Sequence, residues 1–151
     1  MNDLRDLYEE MILEHNRNPR NYPKKPAGCN HSAHGFNPLC GDEFQVHATV
    51  RDGVIQDIGF EGAGCAISTA SASMMTDAVK GKPLAEAEAL FERVHQALTH
   101  EDDAAAPNED IGKLAVLTGV REYPMRVKCA TLAWHVLHAA LQGKQDTVCT
   151  E

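Results

Sequence analysis

The chain lacks any apolar run near the roughly 18–20 residues that a membrane-spanning helix needs, so no passage through a bilayer is expected. It opens Met1-Asn2-Asp3-Leu4-Arg5, acidic and amphipathic, without the apolar stretch of a secretion signal. A cytoplasmic location is the expectation. Positive charge is scarce: 14 Lys and Arg stand against 22 Asp and Glu, a net charge of −8. That balance argues against a sequence-independent grip on nucleic acid. No internal repeat and no interdomain linker interrupt the 151 residues, which read as a single domain, 1–151, able to bury its own core. Gly62-Ala63-Gly64 lacks the Walker spacing and the Lys-Ser/Thr pair of a phosphate loop. No histidine stands beside a cysteine with an orienting partner, which speaks against a Cys/His hydrolase.

What is present is an ordinary globular share of hydrophobic residues, 43%, in clear periods. Residues 3–16 place Leu4, Leu7, Tyr8, Met11 and Ile12 on one helical face. The prolines of Asn18-Pro19-Arg20-Asn21-Tyr22-Pro23 end that helix. The run to Pro38 reads as a loop, with at most a weak edge strand near residues 32–36. Phe44, Val46, Ala48 and Val50 then alternate with Glu43, Gln45, His47 and Thr49, a half-buried strand. Arg51-Asp52-Gly53 signals a hairpin, and residues 54–60 form the returning strand. Helices are expected at 66–79, stopped by Lys80-Gly81, and at 83–99, opened by Pro83. An acidic connection at 101–110, a short helix at 111–117 and a last helix at 130–141 follow. Ser68, Ser71 and Ser73 among the alanines of the second helix suit close packing on the sheet. The order of elements gives an α+β domain.

Five cysteines are an odd number, and in a reducing cytosol they serve as ligands or nucleophiles more often than as disulfide partners. Cys149 lies in a polar tail expected to fray, and Cys29 lies in a loop; both read as bystanders. The other three stand where a loop meets an element. Cys40 and Asp42 sit at the mouth of a strand, Cys65 closes a Gly-rich turn before a helix, and Cys129 is expected to open the last helix. The hairpin brings the Cys40 loop and Cys65 to one end of the sheet. A helix N-terminus favours anions, so a thiol there loses its proton readily, and the thiolate is the form that binds metal or attacks sulfur. Any one of these cysteines taken alone is more simply a small core residue; together, three thiolates and one carboxylate suit tetrahedral zinc. Asp42 alone would more often be a turn or cap residue. Among the eight histidines, His31 and His34 are rivals for the fourth ligand position, while His135 and His138 point away from Cys129 on its helix. His15, His47, His95 and His100 read as surface or partly buried. Such a ligand set with Zn²⁺ carries a net negative charge and needs cationic help, which Arg126 and Lys128 are placed to give.

Three motifs carry a resemblance: Asn37-Pro38-Leu39-Cys40-Gly41-Asp42, Gly62-Ala63-Gly64-Cys65-Ala66-Ile67-Ser68, and Val127-Lys128-Cys129-Ala130-Thr131-Leu132-Ala133-Trp134. In these and across nearly its whole length the chain resembles the IscU/NifU/SufU-type iron–sulfur cluster assembly family. It looks like the SufU branch, because Lys128 stands where the IscU branch places a histidine and because a long segment separates Cys65 from Cys129. The resemblance implies a small antiparallel three-stranded sheet packed against several helices. It implies a zinc-dependent sulfurtransferase that accepts persulfide sulfur from a SufS-type cysteine desulfurase, with Cys40 as acceptor and Asp42, Cys65 and Cys129 as the remaining zinc ligands. The alternative is a scaffold on which a transient iron–sulfur cluster is assembled and passed to apo-targets, with other Suf assembly proteins as further partners. A purely structural zinc module is the third option.

Overall fold

In the computed structural model the described residues are 3–38, 41–99, 117, 124–142 and 147–149, with side chains described for 9–38, 41–98, 117 and 126–142. Helix α1 (Asp3–Arg17) leads into strands β1 (His31–Asn37), β2 (Asp42–Arg51) and β3 (Val54–Ala63). Helices α2 (Ala66–Val79), α3 (Leu84–Thr99) and α4 (Pro124–Leu141) follow, and a short strand β4 (Thr147–Cys149) comes last. The acidic connection lies outside the described residues, as does the short helix expected at 111–117 apart from Leu117, which is buried.

The sheet runs β3-β2-β1-β4. Its first three strands are antiparallel, as expected for this α+β fold, and β4 adds a short parallel rung along β1. Two expectations change here. The segment before Pro38 forms a seven-residue strand paired to β2 from His31 to Asn37, and β4 covers what would have been its open edge. The tail expected to fray supplies that rung.

The β2–β3 hairpin turns at Asp52 and Gly53, both with positive φ (55° and 73°). This mirror-image turn matches the right-handed twist of the strands, and Asp-Gly is the pair that tolerates it. One sheet face presents Phe44, Val46, Ala48, Ile58 and Phe60, all fully buried. Helix α4 lies across β1 and β2, with Leu132, Val136, Leu137 and Ala140 in the shared core. Burying each large aliphatic side chain contributes about 1.5–3 kcal/mol. The opposite face is drier than its alternation implies, because His47 and Thr49 are also buried. His47 is held there by Ser32 Oγ at its Nδ1 (2.8 Å) and Glu61 Oε1 at its Nε2 (2.9 Å).

Helix α2 packs between α1 and α4 more than on the sheet. Its buried hydroxyls explain the choice of neighbours. Ser73 Oγ meets His15 Nδ1 on α1 (2.7 Å) and accepts the Arg20 N–H (2.8 Å). Ser71 donates to the Ala130 carbonyl and accepts from Trp134 Nε1 (3.2 Å), both on α4. Small side chains bring the helices close, and each buried hydroxyl finds a partner in place of water.

Helix α4 begins at Pro124, six residues before the expected start at Ala130. Proline suits the first turn of a helix, where its missing N–H has no intrahelical partner to lose. Cys129 therefore lies inside the helix and not at its mouth.

Candidate metal centre

Cys65 is the N-cap of α2, in extended conformation (φ −70°, ψ 172°) and without a side-chain cap of its own. The cap comes instead from the sheet. Asp42, the first residue of β2 and only 1% exposed, accepts the Cys65 N–H at Oδ1 (2.9 Å). Its Oδ2 accepts the Ser68 hydroxyl (2.6 Å) and lies 3.9 Å from Cys65 Sγ. Ser68 Oγ is also 3.1 Å from Cys65 Sγ. A carboxylate removed from water is costly unless its lone pairs are satisfied, and here the backbone and hydroxyl of one helix start do so.

The approach requires glycine. A Cβ on Gly64 would stand 2.9 Å from Phe44 Cζ and 3.0 Å from Asp42 Oδ1, inside the space the carboxylate occupies. Gly62 has φ 121°, and a Cβ there would run into the Glu43 backbone. Its carbonyl accepts the Tyr22 hydroxyl (2.7 Å), which fastens the turn from outside.

Cys129 enters from the second turn of α4 and is fully buried. The ligand atoms of Asp42, Cys65 and Cys129 all lie within 4.8 Å of one another. Among the described residues no other group of His, Cys, Asp or Glu meets in this way. An oxygen and two thiol sulfurs so close, on three separate elements, fit a divalent ion that accepts mixed sulfur and oxygen donors.

The expected helix-start field acts at Cys65 but not at Cys129, because such a field fades beyond the first turn. The cation nearby is Arg126. It sits one turn before Cys129 on the same face, largely exposed. Its guanidinium is held above its ordinary value first by the charge of Cys65, then by the hydrogen bond and charge of Cys129. Lys128 is half-buried, and the structure records no contact between its ammonium and the cluster.

Leu39 and Cys40 lie outside the described residues, so Cys40 is fixed only by its position two residues before Asp42. Neither rival histidine joins the group. His31 Nδ1 meets Asn30 Oδ1 (2.8 Å), and His34 Nε2 pairs with Glu43 Oε2 (2.6 Å). His135 and His138 face α3, away from Cys129 as expected. Cys29 is a free, half-buried loop thiol outside the group. Ser68 is the site residue that sequence reasoning missed, since its place among the alanines of α2 speaks only for packing. The available signal was its place three residues after a helix N-cap, where side chains reach back to the cap.

Residues 7–130 match the NifU-like N terminal domain. The chain belongs to this family. It is 38% identical over 146 residues to the zinc-dependent sulfurtransferase SufU of Bacillus subtilis, covering 95% of each chain. It is 35% identical over 142 residues to the iron–sulfur cluster assembly scaffold protein IscU of Streptococcus pyogenes, covering 94% of this chain and 87% of that one. A crystal structure of SufU from Fervidobacterium islandicum superposes with a TM-score of 0.79 at 30% identity, over 87% of this chain and 94% of that one. The NifU-like N-terminal protein of Brucella abortus does so at 0.80 and 26% identity, over 93% and 95%. The family places the chain among iron–sulfur cluster assembly proteins of SufU and IscU type. No described helix is long and apolar enough to cross a membrane.

Proposed function

We propose that this protein is a zinc-dependent sulfur-transfer protein that takes persulfide sulfur from a SufS-type cysteine desulfurase. The observation that carries this reading is the convergence of Asp42, Cys65 and Cys129 on one point, with Arg126 beside the thiols. Cys40, two residues before Asp42, is the fourth ligand and the sulfur acceptor. Zinc, when bound, would keep the thiols deprotonated and the site shaped, with no redox part of its own.

The division of labour follows from anchoring. Cys65 is held by its backbone N–H to Asp42, and Cys129 is inside a helix, so neither moves without undoing structure. Cys40 precedes the first residue of β2 by two positions in the sequence. Its thiolate attacks the outer sulfur of the desulfurase persulfide, the S–S bond breaks, and the desulfurase cysteine leaves as thiolate. The transferred sulfur remains as a persulfide on Cys40. Lys128 in place of a histidine before Cys129, and the similarity to the Bacillus subtilis sulfurtransferase, favour this over the scaffold reading.

The test is desulfurase turnover with cysteine and a reductant. Wild type and the Cys29→Ala/Cys149→Ala variant should both accelerate sulfide release, and Cys40→Ala should not. Stimulation by Cys40→Ala equal to wild type, with its metal content intact, would overturn the assignment and favour the scaffold.

A further inference from the structure

The segment that follows α1 is fastened to both elements that meet at Cys65. On one side it holds α2: Ser73 Oγ accepts the Arg20 N–H (2.8 Å), and Asn21 Nδ2 donates to Thr76 Oγ1 (3.1 Å). On the other side it holds β3: the Phe60 N–H donates to the Asn21 carbonyl (3.0 Å) and the Lys24 N–H to the Phe60 carbonyl (3.1 Å). Strand β3 ends the sheet, so these bonds cover part of its free edge. Gly59 permits the close approach, since a Cβ there would stand 2.5 Å from the Lys24 carbonyl oxygen.

Tyr22 lies between these anchors. Backbone groups of alternate residues in a strand point to the same edge, so Gly62 presents its carbonyl on the edge that Phe60 uses. There the pairing passes from backbone to side chain: the Tyr22 hydroxyl donates to the Gly62 carbonyl at 2.7 Å. The Tyr22 ring rests on Phe60 with centres 4.8 Å apart, and Phe60 meets Phe44 edge-on at 5.8 Å. What the hydroxyl holds is a short path to the metal ligands. Gly62 and Ala63 pair with Phe44 and Glu43, the residues that follow Asp42 on β2. Cys65 comes three residues after Gly62, and its N–H must reach Asp42 Oδ1 (2.9 Å). Gly62, Ala63 and Gly64 are all exposed, and Gly62 adopts φ 121°. Glycine loses more conformational freedom on ordering than any other residue, so a tie at the start of this path reduces what must be ordered to place Cys65.

On the reading of Asp42, Cys65 and Cys129 as a metal centre, we propose that Tyr22 is a positioning residue for it. Its hydroxyl fixes the Gly62–Ala63 peptide, and that peptide sets where the turn delivers Cys65. Tyr22→Phe removes only the hydroxyl. The ring contact with Phe60 and the backbone bonds of Asn21 and Lys24 stay, so the loss is confined to the turn.

The test compares wild type, Tyr22→Phe and Lys24→Met, each as the full chain as purified. It reads backbone amide hydrogen exchange and the rate at which zinc passes to a chelator. Loss of one neutral hydrogen bond corresponds to a change of about two- to tenfold. We expect the Cys65 amide to exchange faster by that factor in Tyr22→Phe, and zinc to leave faster to a similar degree. The amides of Phe60 and Val46 should keep their wild-type rates. Lys24→Met loosens the same segment at Asp57 and should leave Cys65 unchanged. Wild-type exchange at Cys65, or wild-type zinc release, in Tyr22→Phe overturns the proposal. Faster exchange at Cys65 that is matched at Phe60 and Val46, or matched in Lys24→Met, overturns it too, because the bond would then serve general stability. Exchange at Cys65 is read whatever metal is bound, so a wild type without tight zinc counts against the function proposed above and not against Tyr22.

Discussion

Replacing Ser68 with alanine probes the centre through a residue that is itself no metal ligand. The hydroxyl is fully buried, donates to Asp42 Oδ2 at 2.6 Å and lies 3.1 Å from Cys65 Sγ. A hydrogen bond to a charged group contributes about 1.5–3 kcal/mol, and the full cost appears when the partner is left buried. Asp42 is 1% exposed, so little water can replace the lost donor. We expect Ser68→Ala to lose about 2 kcal/mol, which in a chain of this size lowers Tm by roughly 4–8 °C. Loss of such an outer hydrogen bond also typically weakens metal binding about 10–100-fold. The assay is a chelator competition for zinc with a thermal melt of the same samples. Ser68→Thr, which keeps the hydroxyl, should fall between the two. Wild-type zinc affinity in a folded Ser68→Ala protein would refute the claim that Ser68 orients Asp42.

Gly64→Ala should destabilise by about 1–3 kcal/mol in denaturant melts and loosen metal binding as well, because its Cβ meets both Phe44 and Asp42. Unchanged metal affinity would mean that Asp42 has room the structure does not show. Asp57 supplies a pH test. Burial alone would raise its carboxyl, but the Lys24 hydrogen bond (2.7 Å), the Ile58 N–H and the charges of Lys24 and Lys80 outweigh that and hold it below its ordinary 3.8. A depressed folded value stabilises above 3.8 and is lost as pH falls through the depressed value. The pair is partly solvated, so the effect is about 0.5 kcal/mol. Urea melts between pH 6 and 3 should show a shallower acid-side loss in Lys24→Met than in wild type, and equal slopes would count against it.

Much of the scaffold was legible because local and global signals agree there. The Asp52-Gly53 turn, the alternation of β2 and the helix after Cys65 each depend on a few neighbouring residues. The convergence of Asp42 with Cys65 followed from the hairpin, since antiparallel pairing fixes which ends meet. Helix α4 starts six residues before the expected Ala130 because Pro124, a plain first-turn residue, opens it. With Cys129 in the second turn, the positive field at its thiol comes from Arg126, already expected to help, and not from the helix end. Strand β4 was hidden because its pairing with β1 depends on tertiary placement and its residues are few. The burial of His47 was hidden for a similar reason: Ser32 and Glu61, which hold it, come from two other strands. The Ser68 bond to Asp42 spans the sheet and a helix, so no local period reports it.

We propose that Asp42, Cys65 and Cys129 hold one zinc ion together with Cys40. X-ray absorption at the zinc edge, on protein purified both aerobically and anaerobically and counted by elemental analysis, tests it most directly. We expect one zinc per chain in both preparations, with three sulfur neighbours at about 2.3 Å and one lighter atom at about 2.0–2.2 Å. Iron with acid-labile sulfide in the anaerobic protein, or zinc with its sulfur shell intact in Cys65→Ser and Cys129→Ser, would contradict it.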